Sequence, residues 1–367
     1  MNVGVLGAGQ LGRMLALAGQ PLGARFRFFD PNPESPVHDV GDLTAADYGD
    51  FAALDRFADG LDVATYEFES IPVAAVEAVA KRVPLFPSVQ ALKVSQDRVL
   101  EKRCFQHMGI RTAPSRDVTS CGDLDKAAHE IGLPAVLKTR RLGYDGKGQV
   151  VIRYESELGG AWDELGGVPL ILEQFIDFDR ELSIIAARSR DGEIVFYPMV
   201  ENEHEEGILS CSFAPAEVSE TKTRAARDYV RRLMSSFDYV GVLALEMFEL
   251  GDKLIANEIA PRVHNSGHWT IEGAETSQFE NHVRAICGRE LGGTSALGHS
   301  VMLNILGTAP DIQRIESIPG AHAHMYGKTA APRRKLGHVT VVGGDAAEVR
   351  ERAAAVRRIL VGEAVPA

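Results

Sequence analysis

The chain has 367 residues, enough for two or three domains with substantial cores. Its 45% hydrophobic and 25% charged residues are the proportions of a soluble globular protein, and a net charge of -12 excludes a general nucleic-acid or membrane-surface binder, which needs a basic face. No apolar run approaches the roughly 20 residues that cross a bilayer, Met1-Asn-Val-Gly leads straight into a strand-like segment without a signal peptide, and Cys104, Cys121, Cys211 and Cys287 are too scattered for a metal site or disulfide framework; a cytoplasmic protein with small packed cysteines is expected.

Asn2–Leu6 reads as a buried strand, Gly7-Ala-Gly-Gln-Leu-Gly12 as a tight turn, and Leu11, Met14, Leu15 and Ala18 as the apolar face of a helix. Ala24–Phe29 is the next strand and ends on Asp30, eighteen residues beyond Gly12. This is the order of a dinucleotide fingerprint, so an NAD-dependent dehydrogenase is one expectation from the first thirty residues. The same turn and helix start suit any phosphate or carboxylate, and glycines there also permit close strand–helix packing. Asp62–Glu67 is expected as a further parallel strand that brings Glu67 and Glu69 to the same edge, followed by a helix through Ala80. Ser88 is expected to cap a single helix running to about His107 and carrying Gln96, Asp97, Arg98 and Lys102.

Beyond Ala113-Pro114 the pattern changes to alternating strands and loops. Leu133–Lys138 is a strand that runs into Thr139–Gln149, a loop with three glycines, two arginines and a lysine, suited to close over a polyphosphate as a lid. The spacing of a P-loop is absent. Val168–Ile176 is another buried strand, whose Glu173-Gln-Phe-Ile176 offers an apolar slot and backbone hydrogen bonds to an adenine ring, with Glu181 placed for ribose hydroxyls. A hairpin follows over Leu182–Val200, turning at Arg190-Asp-Gly192, and then a helix over Thr221–Phe237.

Val242–Phe248 and Leu254–Ile259, joined by the turn Leu250–Lys253, form a hairpin that brings Glu246 close to Asn257 and Glu258. Two carboxylates and an amide oxygen are hard ligands suited to Mg²⁺ bridging nucleotide phosphates; a hairpin face with ordinary surface glutamates is the alternative. The segment Glu258–Thr270 adds an arginine and two histidines around Pro261 and Gly267, a composition that suits a site better than a core. A helix over Ser277–Cys287, strands near Val301–Leu306, His322–Tyr326 and His338–Val342, and a helix over Ala346–Leu360 complete the chain. His322 and His324 lack a third ligand at a suggestive spacing and are expected at the surface or packed. Lys328, Arg333, Arg334 and Lys335 form a basic cluster in an acidic chain, either an anion site or a solvated loop.

The order of lysine strand, glycine-rich lid, Glu173 and Glu181, then the carboxylate hairpin resembles an ATP-grasp ligase. More narrowly, Gly7–Met14, Gln96-Asp-Arg98, Gly143–Gln149 and Asn257–Thr270 resemble the N5-carboxyaminoimidazole ribonucleotide synthetase family of purine biosynthesis, nearly end to end, with the likeness weakening over residues 31–60 and in the final helix. The resemblance implies an α/β fold in three parts: an N-terminal Rossmann-like parallel-sheet domain over 1–95, an ATP-grasp region over 96–295 with a lid subdomain at about 115–177, and a C-terminal α+β portion over 296–367. It implies ATP contacts from Arg98, Lys138, Gly143, Tyr144, Asp145, Gly146, Lys147, Gly148, Glu173, Gln174, Phe175, Ile176, Glu181 and His204. Glu246 and Glu258 would hold Mg²⁺ with Asn257 beside them, and Arg262, His264, Asn265 and Ser266 would form a pocket for bicarbonate and carboxyphosphate. Tyr144 and Asp145 would meet the aminoimidazole, Lys328, Arg334 and Lys335 its ribose phosphate, and Gly9, Gln10 and Glu67 would complete that site. The implied activity is a carbon–nitrogen ligation: ATP- and bicarbonate-dependent carboxylation of 5-aminoimidazole ribonucleotide through carboxyphosphate, releasing ADP and phosphate, with Asp145 or His264 taking the amine's proton. The implied partners are those small molecules, a second copy of the chain and the downstream mutase; no organic prosthetic group, nucleic acid or membrane is expected. A non-catalytic nucleotide-binding regulator would share the same shape.

Overall fold

The computed structural model describes residues 1–143 and 146–362. Asn2–Leu6 is the hub of a four-stranded parallel sheet in the order Asp42–Ala45, Arg25–Asp30, Asn2–Leu6, Val63–Tyr66. Val3 and Val5 pack with Leu11, Met14 and Leu15 of the helix Gln10–Gly19, while Leu6 and Ala64 face Leu54 and Phe57 of the helix Phe51–Ala58. Cover on both faces explains the nearly unbroken apolar strand.

Two helices, Val89–Ser95 and Arg98–His107, stand where one was expected. Asp97 breaks the run: its backbone is extended (φ -132°, ψ 107°) and its carboxylate accepts from Val99 N at 3.1 Å and Leu100 N at 3.4 Å, opening the second helix as an N-cap. The stretch expected to form the lid subdomain holds an antiparallel sheet ordered Ser115–Val118, Leu170–Gln174, Ala135–Thr139, Gln149–Ile152. Instead of only strands and loops, it also contains the helices Cys121–Ile131 and Leu158–Leu165.

The largest sheet has nine strands, among them Lys253–Ala260, Gly241–Leu250, Arg180–Arg188, Val200–Glu205, Ile208–Ala214, His299–Leu306, Lys335–Gly343 and Ala321–Met325 as consecutive neighbours. Along Gly241–Leu250, Val242 and Ala244 enter one core while Leu243, Leu245 and Met247 enter the other. Glu246 is where the first of these apolar rows ends, so its carboxylate emerges into a cavity. Cys121 is exposed, unlike the packed cysteine expected there. His322 is also exposed, whereas His324 stacks on His338 with ring centroids 4.6 Å apart and sits with Nε2 2.5 Å from Glu272 Oε1. Among the described residues no helix is long and apolar enough to cross a membrane.

The first domain is pegged to the large sheet by His282, fully buried on the helix Gln278–Ile286. Val242 N donates to its Nδ1 at 3.1 Å, and its Nε2 lies 2.9 Å from Thr65 Oγ1. Burial lowers its pKa to about 3. Between that value and the ordinary one near 6.5 the unfolded chain takes up a proton that the fold refuses, so stability present above this window is lost as pH falls through it, by up to about 1.4 kcal/mol per pH unit. His282→Asn should therefore flatten the dependence of unfolding free energy on pH by that amount, measured by urea denaturation; an unchanged slope would assign the pH dependence to other groups.

Candidate functional site

The hairpin places Glu246 and Glu258 directly opposite each other. The next pairing is Met247 with Ala256, so Asn257 is the extra residue of a β-bulge, which breaks the strict alternation that would send neighbouring side chains to opposite faces. Arg98 Nη1 donates to Glu258 Oε2 at 2.8 Å, and His264 Nε2 lies 2.9 Å from Glu246 Oε1, leaving the other oxygen of each carboxylate for a cation. Asn257 Oδ1 is buried with no hydrogen-bond partner. A buried oxygen without a donor, beside two carboxylates, fits a hard cation such as Mg²⁺. Burial works against the charge of Glu246, but His264, His204 and Arg262 outweigh it and hold its pKa below the usual carboxylate range.

The segment after the hairpin is fixed from behind. Gln278, fully buried, accepts from His264 N at 2.9 Å and donates to His264 O at 2.6 Å, bracketing that residue's backbone. Asn265 and Asn304 exchange amide hydrogen bonds at 3.0 and 2.8 Å. Arg262 clamps Glu69 with two hydrogen bonds, one of them Nη2 to Oε1 at 2.7 Å. Burial opposes both charges, yet each ion holds the other: the Glu69 pKa is lowered and that of Arg262 raised.

In the first domain the glycine turn is filled from within. Glu67 accepts from Gly9 N and, at 2.7 Å, from Gly12 N, while Asp30 Oδ2 accepts from Ala8 N at 3.1 Å. A Cβ on Gly7 would stand 2.6 Å from Glu67 Cγ, and one on Gly9 2.6 Å from Glu67 Oε1, so these glycines make room for that carboxylate. The position a dinucleotide phosphate would take is occupied, which overturns the dehydrogenase expectation. Burial raises the Glu67 pKa even against the two backbone donors and Lys328. Lys328 in turn donates to Gln10 Oε1.

On the lid side Lys138 Nζ donates to Glu173 Oε2 at 2.9 Å, and Lys102 Nζ lies 3.6 Å from the same oxygen while also donating to Asn257 O at 2.6 Å. Burial disfavours the Glu173 charge, but Lys102 and Lys138 bring its pKa down to about 2. Its carboxylate thus faces two ammonium groups. The backbone N–H groups of Gln174 and Phe175 are likewise committed, to Pro114 O and Pro134 O. Asp97 anchors the lid's base through Arg140, at 3.1 and 2.7 Å, and through Arg141 at 3.3 Å. His204 Nδ1 lies 2.9 Å from Glu181 Oε2; burial opposes its protonation, but Glu181 leaves its pKa raised.

A cavity of about 720 Å³ gathers many of these groups. From the hairpin and its sequel, Glu246, Glu258, Arg262, His264 and Asn265 line it. Arg98, Gly143 and His204 line it from the lid side, Gln10 and Glu67 from the first domain, and Lys328 and Lys335 from the last part of the chain. Gly9, Asn257, Ser266, Lys138, Glu173, Gln174, Phe175, Ile176 and Glu181 do not line it. Nor do Gly146, Lys147 and Gly148 of the lid. Arg334 is exposed and donates to Thr329 O at 3.0 Å; it does not line the cavity, though its neighbour Lys335 does. Tyr144 and Asp145 lie outside the described residues. Sequence reasoning passed over the roles of Lys102, Glu69, Gln278 and Asn304; only Lys102 and Glu69 carried a signal, as charges beside residues already singled out.

Fold and site together define an ATP-grasp ligase: residues 103–279 match the ATP-grasp domain, residues 1–96 the ribonucleotide synthetase preATP-grasp domain and residues 300–352 the phosphoribosylaminoimidazole carboxylase C-terminal domain. The chain is 50% identical over 360 residues, 98% of its length and 99% of the other's, to N5-carboxyaminoimidazole ribonucleotide synthase of Pseudomonas aeruginosa. It superposes with TM-score 0.94 and 50% identity on the crystal structure of N5-carboxyaminoimidazole ribonucleotide synthetase from Thermus thermophilus, covering 97% of this chain and 98% of that one. The Aspergillus clavatus enzyme, solved with ADP and 5-aminoimidazole ribonucleotide, matches with TM-score 0.90 and 33% identity over 98% of each chain. The chain belongs to the N5-carboxyaminoimidazole ribonucleotide synthases.

Proposed function

We propose that the cavity carboxylates 5-aminoimidazole ribonucleotide with ATP and bicarbonate, through carboxyphosphate, in purine biosynthesis. The observation that carries this reading is that Glu246, Glu258, Arg262, His264 and Asn265 line one cavity together with Lys328 and Lys335. Mg²⁺ held by Glu246 and Glu258, with Asn257 beside them, would supply charge neutralisation at the ATP phosphates. Arg262, oriented by Glu69, holds positive charge where two anions must approach each other. Arg98, Lys138 and the glycine lid over Gly143–Gly148, with Tyr144 and Asp145, draw the polyphosphate down and exclude water from a short-lived acyl phosphate. Glu173–Ile176, Glu181 and His204 serve the nucleoside end of ATP, and Gly9, Gln10 and Glu67 the ribonucleotide. This reading keeps three parts, 1–95, 96–295 and 296–367, and is supported by the helix break at Asp97.

The direct test uses ¹⁸O-labelled bicarbonate, read before it exchanges with water. One label should enter the phosphate released in each turnover, because bicarbonate oxygen is the nucleophile; unlabelled phosphate with product still forming would mean that water attacks ATP. ADP release that does not respond to the ribonucleotide would overturn the assignment altogether.

Lys328, Arg334 and Lys335 are assigned to the ribose phosphate. A charge-assisted contact contributes roughly 1.5–3 kcal/mol, so Lys328→Ala and Arg334→Ala should each raise the ribonucleotide KM on the order of tenfold and leave the ATP KM nearly unchanged. Equal changes in both constants would move these residues elsewhere, and Arg334, exposed in the structure, is the sharper case. The reading also includes a cytoplasmic homodimer that hands its product to the mutase. Sedimentation showing only monomer at micromolar concentration would remove the dimer.

A further inference from the structure

Resting on that reaction, a more detailed assignment concerns His264, whose ring would serve either as the base for the amine or as a fixed donor. Behind it, buried polar side chains form a single file across neighbouring strands of the large sheet. Ser212 Oγ donates to Asn202 Oδ1 at 2.8 Å, Asn202 Nδ2 donates to Ser183 Oγ at 3.0 Å, and Ser183 Oγ donates to Ser266 Oγ at 2.8 Å. Ser266 Oγ stands 2.9 Å from His264 Nδ1. None of the four side chains is more than 6% exposed.

The file has a direction. An amide NH₂ only donates and an amide oxygen only accepts, and each hydroxyl has one proton to give. Ser183, accepting from Asn202, keeps its proton available for Ser266, and Ser266 its own for His264 Nδ1. The other end agrees independently: Ser266 N, a main-chain donor that cannot accept, points at the same ring nitrogen from 3.3 Å. Both contacts are satisfied by a lone pair on Nδ1, and the main-chain donor demands it. The ring proton therefore sits on Nε2, 2.9 Å from Glu246 Oε1.

We infer that Ser212, Asn202, Ser183 and Ser266 are positioning residues that lock His264 in the Nε2–H form, as a fixed donor to Glu246. With both ring nitrogens committed and the backbone bracketed by Gln278, the amine's proton goes to another acceptor. The chemical role of the file is to aim one oxygen of Glu246 and leave its second oxygen presented to a cation.

The test needs neither ATP nor metal. In ¹⁵N-histidine-labelled enzyme, long-range ¹H–¹⁵N correlation spectra, with the His264 signals assigned by their loss in His264→Gln, should show Nδ1 unprotonated and Nε2 protonated. A protonated Nδ1 would overturn the inference. Asn202→Asp keeps the shape but accepts on both sides, so Ser183 and Ser266 turn their protons around and the His264 signals should shift toward the Nδ1–H form. In that variant kcat should fall at least about tenfold with the ATP KM changed by less than about threefold. A folded Asn202→Asp enzyme with wild-type spectrum and kcat would also overturn it. Should that variant not fold, the wild-type spectrum still decides, and Ser183→Ala, which interrupts the file, should lower kcat several-fold while Ser183→Thr, which restores the hydroxyl, recovers it; equal kcat in both counts against the file. A correct tautomer together with ADP release indifferent to the ribonucleotide would refute the proposed reaction and leave this assignment standing.

Discussion

Glu258→Gln should abolish turnover while leaving the fold intact. The amide keeps the volume and an oxygen for Arg98, so the hairpin and its pairing with Glu246 persist. What disappears is one negative charge from the proposed cation site, to which the chain would supply two carboxylates. Losing it should remove several kcal/mol of transition-state stabilisation, on the order of a thousandfold or more in kcat. ADP release at saturating Mg²⁺ and thermal melting measured side by side decide the matter: near-wild-type turnover with unchanged melting would take Glu258 out of the site.

Glu173→Gln should show the opposite profile, a large loss of stability. Its carboxylate is the shared counterion of Lys102 and Lys138, and these side chains are only 4%, 2% and 12% exposed. Removing one partner leaves buried positive charge uncompensated, which typically costs about 3–5 kcal/mol. Because the folded pKa of Glu173 is depressed to about 2, its contribution is present above the ordinary carboxylate value of 4.5 and is lost as pH falls through that window. Urea unfolding at neutral pH should therefore separate the variant from wild type, and the difference should shrink on acidification. A loss below about 1 kcal/mol would mean that the two ammonium groups find water or another anion.

Local pattern and tertiary contact divide what the sequence made legible. The expected Thr221–Phe237 and Ala346–Leu360 helices appear as Glu220–Ser236 and Ala346–Leu360, because long amphipathic runs with caps carry their own signal. The carboxylate hairpin was legible for the same reason: alternation and a glycine turn fix which residues meet across it. The helix Cys121–Ile131 was legible too, with Ser120 as its cap, Leu124, Ala127, Ala128 and Ile131 at helical spacing and Gly132 as its stop, but a reading centred on the glycine lid passed over it. The break at Asp97 was legible only in part: its N-cap bonds to Val99 N and Leu100 N are local, but Arg140, 43 residues away, also pins its carboxylate. Glu67 on Gly12, Arg262 on Glu69 and Lys102 on Asn257 join positions 55, 193 and 155 residues apart, distances over which no spacing rule speaks.

The carboxylate seated in the glycine turn has a consequence for selectivity. Glu67 is a ligand tied to its receptor, so its local concentration at the helix start is that of a covalently tethered group, of millimolar order or higher. A dinucleotide diffusing in from solution must displace it from the main-chain donors of Gly9 and Gly12. The first domain thus wears the outline of a dinucleotide binder while being self-inhibited toward that whole class of molecule. The internal competitor that makes the difference sits at the end of another strand, invisible to any motif written along the first thirty residues.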